Sequence, residues 1–365
     1  MIANLPDLLT VANPDAYFFP GQLYTDPALL PLEQERIFRR TWLYAGDAAQ
    51  LAPGQVWVKE VAGLSLLIVR DTDHQLRAFH NVCPHRASPL CTQSGVQSLK
   101  HIICPYHAWV YGLDGKLIGA PSHDRFPDIF DTPDFPLTPV AIALWDNFIF
   151  VCLSDPPCDL TDFLGDIPTA LQGYRQPTTE LVIQKQYTVA CNWKNYHDNT
   201  LCDYHVAIAH RQTLNKVQGP IRHYEHSFGD YVNCLYTPTT PGWRADNVVL
   251  EHLSDRNRYG FLTFGMFPNL HLLAFPNGVL AWIQIEPNGV ESCRVNLEVF
   301  AIPGFSTPTE ILLKDFEDFM QEDMDLTEGV QKGYASGVYQ SGMANHLEDR
   351  IIHQQKLIRQ HLLNA

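Results

Sequence analysis

Two thiols and two imidazoles stand close together in NVCPHRASPLCTQSGVQSLKHIICPYHAWV, residues 81–110. Cys83 and His85 form a C-x-H pair, Cys104 and His107 a C-x-x-H pair, and 18 residues separate His85 from Cys104. Two metal chemistries compete for such a set. Tetrahedral zinc takes two Cys and two His at about 2.0–2.3 Å, but zinc fingers pair like with like, whereas here each short loop supplies one sulfur and one nitrogen. Two equivalent loops of that kind suit a two-iron cluster in which one iron takes both thiolates and the other both imidazoles. Neutral ligands raise the potential of such a cluster to roughly −150 to +300 mV. Pro84 and Pro105 stiffen the two turns.

A second group of chemically able residues lies in NWKNYHDNTLCDYHVAIAH, residues 192–210, where His205 and His210 accompany Asp198, Cys202 and Asp203. Five residues of ideal helix turn about 500°, which leaves the two imidazoles about 140° apart. A local distortion such as a π-bulge is needed to bring both to one metal. Without it, each histidine reads equally well as a core residue.

The elements that must carry these groups follow from pattern. Residues 29–42, LLPLEQERIFRRTW, have helical spacing with acids early and Arg late, which predicts a helix within an N-terminal helical segment over 1–42. Short β-rich runs between residues 56 and 151 (VWVKEV, LSLLIVR, LRAFHNV, DNFIFVCL), with a hairpin turn at LDGK, predict a small antiparallel sheet domain over 43–155. Beyond SDPPCDL, residues 156–365 mix strand-like LVIQKQYTVA, the helix-like segment above, strands from Val232 to Phe300 and an amphipathic finish from Glu310 to Leu363. The class is α+β, with a helix at the C-terminal end.

At 365 residues, 45% hydrophobic and 18% charged, the chain has the composition of a globular protein with one large core or two ordinary ones. A net charge of −15 without any long Lys/Arg run argues against nucleic acid or an anionic membrane as partner. No segment approaches the roughly 20 apolar residues of a membrane helix, and no basic n-region with an apolar block opens the chain, so a cytoplasmic location is expected. Nine cysteines, an odd number, do not suggest a disulfide framework.

CPHR and CPYH resemble the Rieske [2Fe–2S] pattern, although Ala108 stands where a Gly commonly follows the second His. NWK…DN…YHVxxxH after such a domain, with EDMDLTEGVQKG at residues 322–333, resembles the catalytic α subunit of Rieske non-heme iron oxygenases over nearly the whole chain. The resemblance implies an antiparallel β Rieske domain and a helix-grip (Bet v1/START-like) catalytic domain with an antiparallel sheet and a long C-terminal helix. It also implies a mononuclear Fe(II) held by His205, His210 and Asp323, with Asn199 of the DN pair at the site; open positions on such a facial triad serve O₂. Glu322, Asp325 and Glu328 are the neighbouring acids that could replace Asp323 in that role.

Reductive activation of O₂ needs two external electrons, and the cluster stores one. No G-x-G-x-x-G follows a predicted strand, so a separate reductase or ferredoxin is expected. The family hydroxylates small organic substrates by cis-diol formation, mono-oxygenation or oxidative demethylation. It assembles as a head-to-tail homotrimer in which a carboxylate three residues before the first iron His bridges two metal centres. Here that position is Cys202, and the acid is Asp203. A thiol is a poor bridge between imidazole N–H donors, so Asp203 is expected to take the role, with Asp198 as the alternative or as support for the iron ligands. Tyr231, Tyr236, Trp243, Tyr259, Phe261, Phe264, Phe267 and Phe275 are the expected pocket aromatics, suited to an arene or to a cation–π cage. The chain's length resembles α-only members acting on amines or betaines, so a β subunit is not favoured. An electron-transfer or ligand-sensing protein is the rival class, and it would lack the mononuclear iron.

Overall fold

The computed structural model describes residues 9, 13–176, 178–302 and 307–363. The chain divides into two units: one holds the described residues up to Ile37 and those from Thr161 onward, and the other spans Phe38–Leu160.

The larger unit is built on seven antiparallel strands: β1 (Glu180–Val189), β2 (Glu225–Phe228), β3 (Val232–Pro238), β4 (Gly260–Met266), β5 (Leu270–Ala274), β6 (Leu280–Pro287) and β7 (Cys293–Ala301). Their order is β1-β7-β6-β5-β4-β3-β2. Every residue of β4 and β5 is buried, which is why both read as nearly unbroken apolar runs. The segment between β1 and β2 carries α1 (Trp193–Thr200) and α2 (Val206–Ala209); α3 (Thr309–Ala335) and α4 (Asp349–Leu363) follow the sheet. Helix α1 packs on β5, β6 and β7 and against α3. The amphipathic finish is thus two helices rather than one, separated by a turn at His346–Glu348.

Helix α3 is amphipathic, and its buried stripe runs Leu312, Phe316, Phe319, Met320, Asp323, Met324, Thr327, Gln331. One carboxylate therefore sits in the middle of an apolar face. Helix α1 is stranger still, because Trp193 to Asp198 are all buried and most are polar. Asn192 caps it, its side chain accepting from the Lys194 N–H at 3.0 Å.

The smaller unit has a seven-stranded antiparallel sheet in the order 43–47, 148–152, 139–145, 76–80, 64–70, 55–61, 95–98, and a three-stranded sheet of 102–103, 110–111 and 117–119. The LDGK turn closes as expected, with Gly112 N–H donating to the Lys116 carbonyl at 2.9 Å and Gly115 at φ 85°. The helix read over 29–42 stops early. It is helical over Leu29–Glu33, continues as a π-helical turn over Gln34–Phe38, and ends because Trp42 leads straight into the strand Leu43–Asp47. All nine cysteines are free thiols. Among the described residues no helix is long and apolar enough to cross a membrane.

The N-terminal segment is tied to α1 by charge. Glu33 accepts from Trp193 Nε1 at 2.8 Å and pairs with Lys194 Nζ, and both members of the ion pair are 1% exposed. Removing one member of a buried pair leaves the other charge uncompensated at a cost of about 3–5 kcal/mol. Glu33→Ala should lower the midpoint of chemical denaturation accordingly, and Glu33→Met with Lys194→Met should recover most of the loss.

Candidate active site

In the smaller unit the two Cys-His loops have the same backbone scaffold. Ala87 N–H donates to the Cys83 carbonyl at 2.9 Å and Cys83 N–H to the Ser88 carbonyl at 2.9 Å. In the second loop Ala108 donates to Cys104 at 3.0 Å and Cys104 to Trp109 at 2.8 Å. Each loop needs a left-handed residue after the His, and Ala87 (φ 55°) and Ala108 (φ 56°) supply it. The position where Gly is common is thus a left-handed one that Ala occupies at a modest steric cost. The loops bring the His85 and His107 rings to a centroid separation of 4.6 Å, with His85 stacked on Trp109.

The donors suit a thiolate–imidazole cluster. Nδ1 of His85 and Nδ1 of His107 are both buried without a hydrogen-bond partner, which marks one atom on each ring as free to ligate. Cys83 and Cys104 are buried, and Tyr111 Oη lies 3.3 Å from Cys83 Sγ. Burial pushes the Cys104 thiol up, but the N–H groups of Tyr106 and His107, together with the Cys83 and Ser88 side chains, bring it below the usual value.

In the larger unit a second set converges. His205 Nε2 lies 3.0 Å from His210 Nε2 and 3.4 Å from Asp323 Oδ1, and His210 Nε2 lies 3.0 Å from the same oxygen. An octahedral ion with bonds of about 2.1 Å spaces adjacent ligands about 3.0 Å apart. The three atoms therefore mark one face of an octahedron. The electrostatics agree with a cation at that point. Burial disfavours the charged His205, yet Asp323 and the Cys202 thiol beside it raise its pKa to about 9, and burial is likewise outweighed at Asp323, which the two imidazoles hold at about 2.

The helical distortion expected between the histidines takes another form. There is no π-bulge; α1 ends at Thr200, and α2 is a single turn with His205 immediately before it and His210 immediately after it. His210 leaves the helical region (φ −97°, ψ 39°), and at the two ends of this short turn the side chains converge, Nε2 to Nε2, at 3.0 Å. Around the triad, Asn199 Nδ2 donates to Asp323 Oδ1 at 2.6 Å, and Glu322 Oε2 accepts from Thr213 Oγ1 at 2.6 Å and sits 2.7 Å from His210 Nδ1.

Residues 178–364 match the ring hydroxylating alpha subunit (catalytic domain), and residues 41–136 match the Rieske [2Fe–2S] domain. The chain belongs to the Rieske oxygenase alpha-subunit family. This oxygenase is 30% identical to the carnitine monooxygenase oxygenase subunit of Escherichia coli (strain K12), over 90% of its own length and 87% of the relative's. It is 28% identical to the chloroplastic choline monooxygenase of Spinacia oleracea, over 90% and 74% of the two chains. A quaternary ammonium Rieske monooxygenase in complex with L-carnitine superposes with a TM-score of 0.80 at 26% identity, covering 96% of this chain and 97% of that one. Naphthalene 1,2-dioxygenase from Rhodococcus sp. shares the fold with a TM-score of 0.82 at 19% identity, covering 100% of both chains. The oxygenase thus uses a Rieske cluster, a mononuclear iron, O₂ and a separate electron donor, and the reading as a pure electron carrier or ligand sensor is set aside.

Asp203 and Asp198 are both held by internal partners, Asp203 on the wall of the small cavity that the triad also borders. Asp203 is buried in an internal network, accepting from Arg350 Nη1 at 3.2 Å and lying 2.9 Å from His226 Nε2. It is Cys202 that sits beside His205, and its thiol reaches Glu348 Oε1 at 3.7 Å. Asp198, the alternative acid, lies on α1, which ends at Thr200 before the turn that carries the two histidines. Its Oδ2 accepts from Tyr24 Oη at 2.6 Å and Gln355 Nε2 at 3.0 Å. Among the alternative acids, Asp325 pairs with exposed Gln321 and Glu328 accepts from Ala190 N–H. Asp323 alone lies on the buried stripe of α3, a signal readable from helical periodicity.

The aromatics also divide. Phe261 borders a cavity of about 40 Å³ at the triad, and Trp243 and Phe275 line an adjoining chamber of about 750 Å³ that shares Leu214 and Phe319 with it. Phe264 lines a different cavity, of about 330 Å³, because alternate residues of β4 face opposite sides, and Tyr231 and Tyr236 line that cavity with it. Tyr259 and Phe267 border none of these three. Phe316, Phe319 and His271 were not anticipated from sequence.

Burial raises the Asp198 pKa to about 7, only partly offset by its bonds from Tyr24 and Gln355. The folded state then binds this proton more tightly than the unfolded one. Stability is fully present below about pH 4 and falls as pH rises through 7, by up to about 1.4 kcal/mol per unit. In urea titrations from pH 4 to 8, Asp198→Asn should lose that slope and exceed the wild type at pH 8.

Proposed function

We propose that this oxygenase hydroxylates a small methylated, cationic amine. The observation that carries the reading is a run of ring contacts from the chamber to an iron ligand. Trp243–Phe275, Phe275–Phe316, Phe316–Phe319 and Phe319–His210 have centroid separations of 6.4, 6.2, 5.6 and 6.4 Å. Such faces attract an alkylammonium by cation–π interaction. Asp246, Asp315 and Asp318 border the same chamber with Lys216; Asp318 is paired with Lys314 at 2.6 Å, which leaves two acids against one lysine, a balance that favours a cation over an anion. The kinship with carnitine and choline monooxygenases supports the same reading.

In this reading Cys83, His85, Cys104 and His107 hold the cluster, and His205, His210 and Asp323 hold the iron. The iron supplies open positions for O₂. The chain's own groups orient the ligands: Asn199 fixes the Asp323 carboxylate, and Glu322 holds His210 through Nδ1 so that Nε2 faces the metal. The apolar wall of Phe261, Leu273 and Ile283 excludes water from the reacting carbon. A C–H bond becomes C–OH, the second oxygen atom leaves as water, and two electrons and two protons balance the step. On an N-methyl group the product decomposes to formaldehyde and the amine. A reductase or ferredoxin delivers the electrons, the chain works in the cytoplasm as a homotrimer, and no β subunit is required.

Two measurements test this. Asp323→Ala should reduce iron from three to two per chain with the Rieske spectrum unchanged, while Glu322→Gln should weaken iron affinity by about 10- to 100-fold. With a surrogate reductase, choline, carnitine and glycine betaine should yield aldehyde or formaldehyde coupled to O₂ uptake. Diol formation from naphthalene with no turnover of any ammonium would sink the substrate reading.

A further inference from the structure

Several buried imidazole nitrogens lack a hydrogen-bond partner. Those of His85, His107 and His205 belong to residues already placed at the metal sites, and His197 borders none of the three cavities described above. His271 is different. It lies on β5, paired with Gly265 of β4 and Ile283 of β6, and on the same strand face as Leu273. Its ring is 4% exposed, its Nδ1 is unpartnered, and it borders the small cavity that the iron triad also lines.

A polar ring in the centre of a strand buried along its whole length is out of place unless something pairs with it. Of the polar groups around this cavity, Asn199 bonds Asp323, Thr263 bonds Arg350 and Gln218 bonds Tyr224. Burial, reinforced by the Arg350 charge, keeps His271 neutral. A neutral imidazole offers one N–H donor and one acceptor, the complement of a hydroxyl. It also leaves a cationic substrate unrepelled. The acids at the chamber weigh against a carboxylate taking this place.

We infer that His271 is a specificity residue that hydrogen-bonds a hydroxyl group on the substrate beside the metal, while the ammonium end rests on the Trp243–Phe275–Phe316 wall. The substrate class is then a hydroxylated quaternary ammonium. This rests on the cationic-amine reading above and narrows it.

The test is a binding comparison on the anaerobic holoenzyme by calorimetry, with choline against ethyltrimethylammonium, glycine betaine as the carboxylate control, and benzyl alcohol against toluene as a neutral pair. The wild type should bind choline roughly 3- to 10-fold more tightly than ethyltrimethylammonium, the worth of one hydrogen bond. His271→Phe should erase that preference while leaving ethyltrimethylammonium affinity and the melting temperature unchanged, and His271→Asn should restore part of it. A merely structural histidine would weaken both ligands alike, and that result, or an unchanged choline preference in His271→Phe, overturns the inference. A glycine betaine affinity above that of choline and lost in His271→Phe overturns the hydroxyl assignment. If only the neutral pair binds, the cationic reading fails, and His271 is judged by whether the benzyl alcohol preference disappears in the variant. No binding of either pair overturns it.

Discussion

Burying a polar helix is costly unless most of its polar groups find partners, and α1 imposes that demand on the catalytic unit. Glu33 answers Lys194 and Trp193, the Thr327 carbonyl answers Asn195, Tyr24 and Gln355 answer Asp198, and Asp323 answers Asn199. These partners come from the N-terminal segment, α3 and α4. One eight-residue helix therefore draws three distant stretches of chain to one place. The triad is one result, since the bond from Asn199 orients the α3 carboxylate that faces both histidines.

The two metal-binding sets are assembled differently. Each Cys-His loop closes on itself through bonds between residues four or five apart, so its geometry is a local property of the backbone. The triad joins a broken helix to the middle of α3, 113 residues beyond His210 by sequence numbering, and holds only when the tertiary packing does. The acid two residues before His205 shows how packing overrides sequence position. Asp203 is claimed by Arg350, whose guanidinium also donates to Asn233 and Thr263 and is itself fully buried. Asp203 thus stands on the wall of the triad's cavity with a buried guanidinium as its partner, and Cys202 stands beside the imidazole.

The chamber continues the same division between local and distant causes. Its aromatic faces come from the short helix that carries Trp243, the end of β5 and α3, and its acids from exposed positions on α3 and near Trp243. Apolar rings with carboxylates around them suit the proposed substrate, a cation that is greasy over most of its surface. The same description fits the ligands in the names of the relatives.

What the amino-acid sequence determined by itself was whatever depends on short spacing. The Rieske loops, the hairpin at LDGK and the α+β class were legible because neighbours along the chain decide them, whereas the pairing of His205 with His210 came only through resemblance. Asp323 was legible only through resemblance, although its place on the buried stripe of α3 could have singled it out from Glu322, Asp325 and Glu328. Tertiary structure alone decided that the helix breaks between Thr200 and His205, that Asp198 and Asp203 face inward partners, which aromatics line the chamber, and that His271 borders the metal cavity. The physical reason is the same in each case: a buried polar group is placed by its hydrogen-bond partner, and that partner lies dozens to hundreds of residues away.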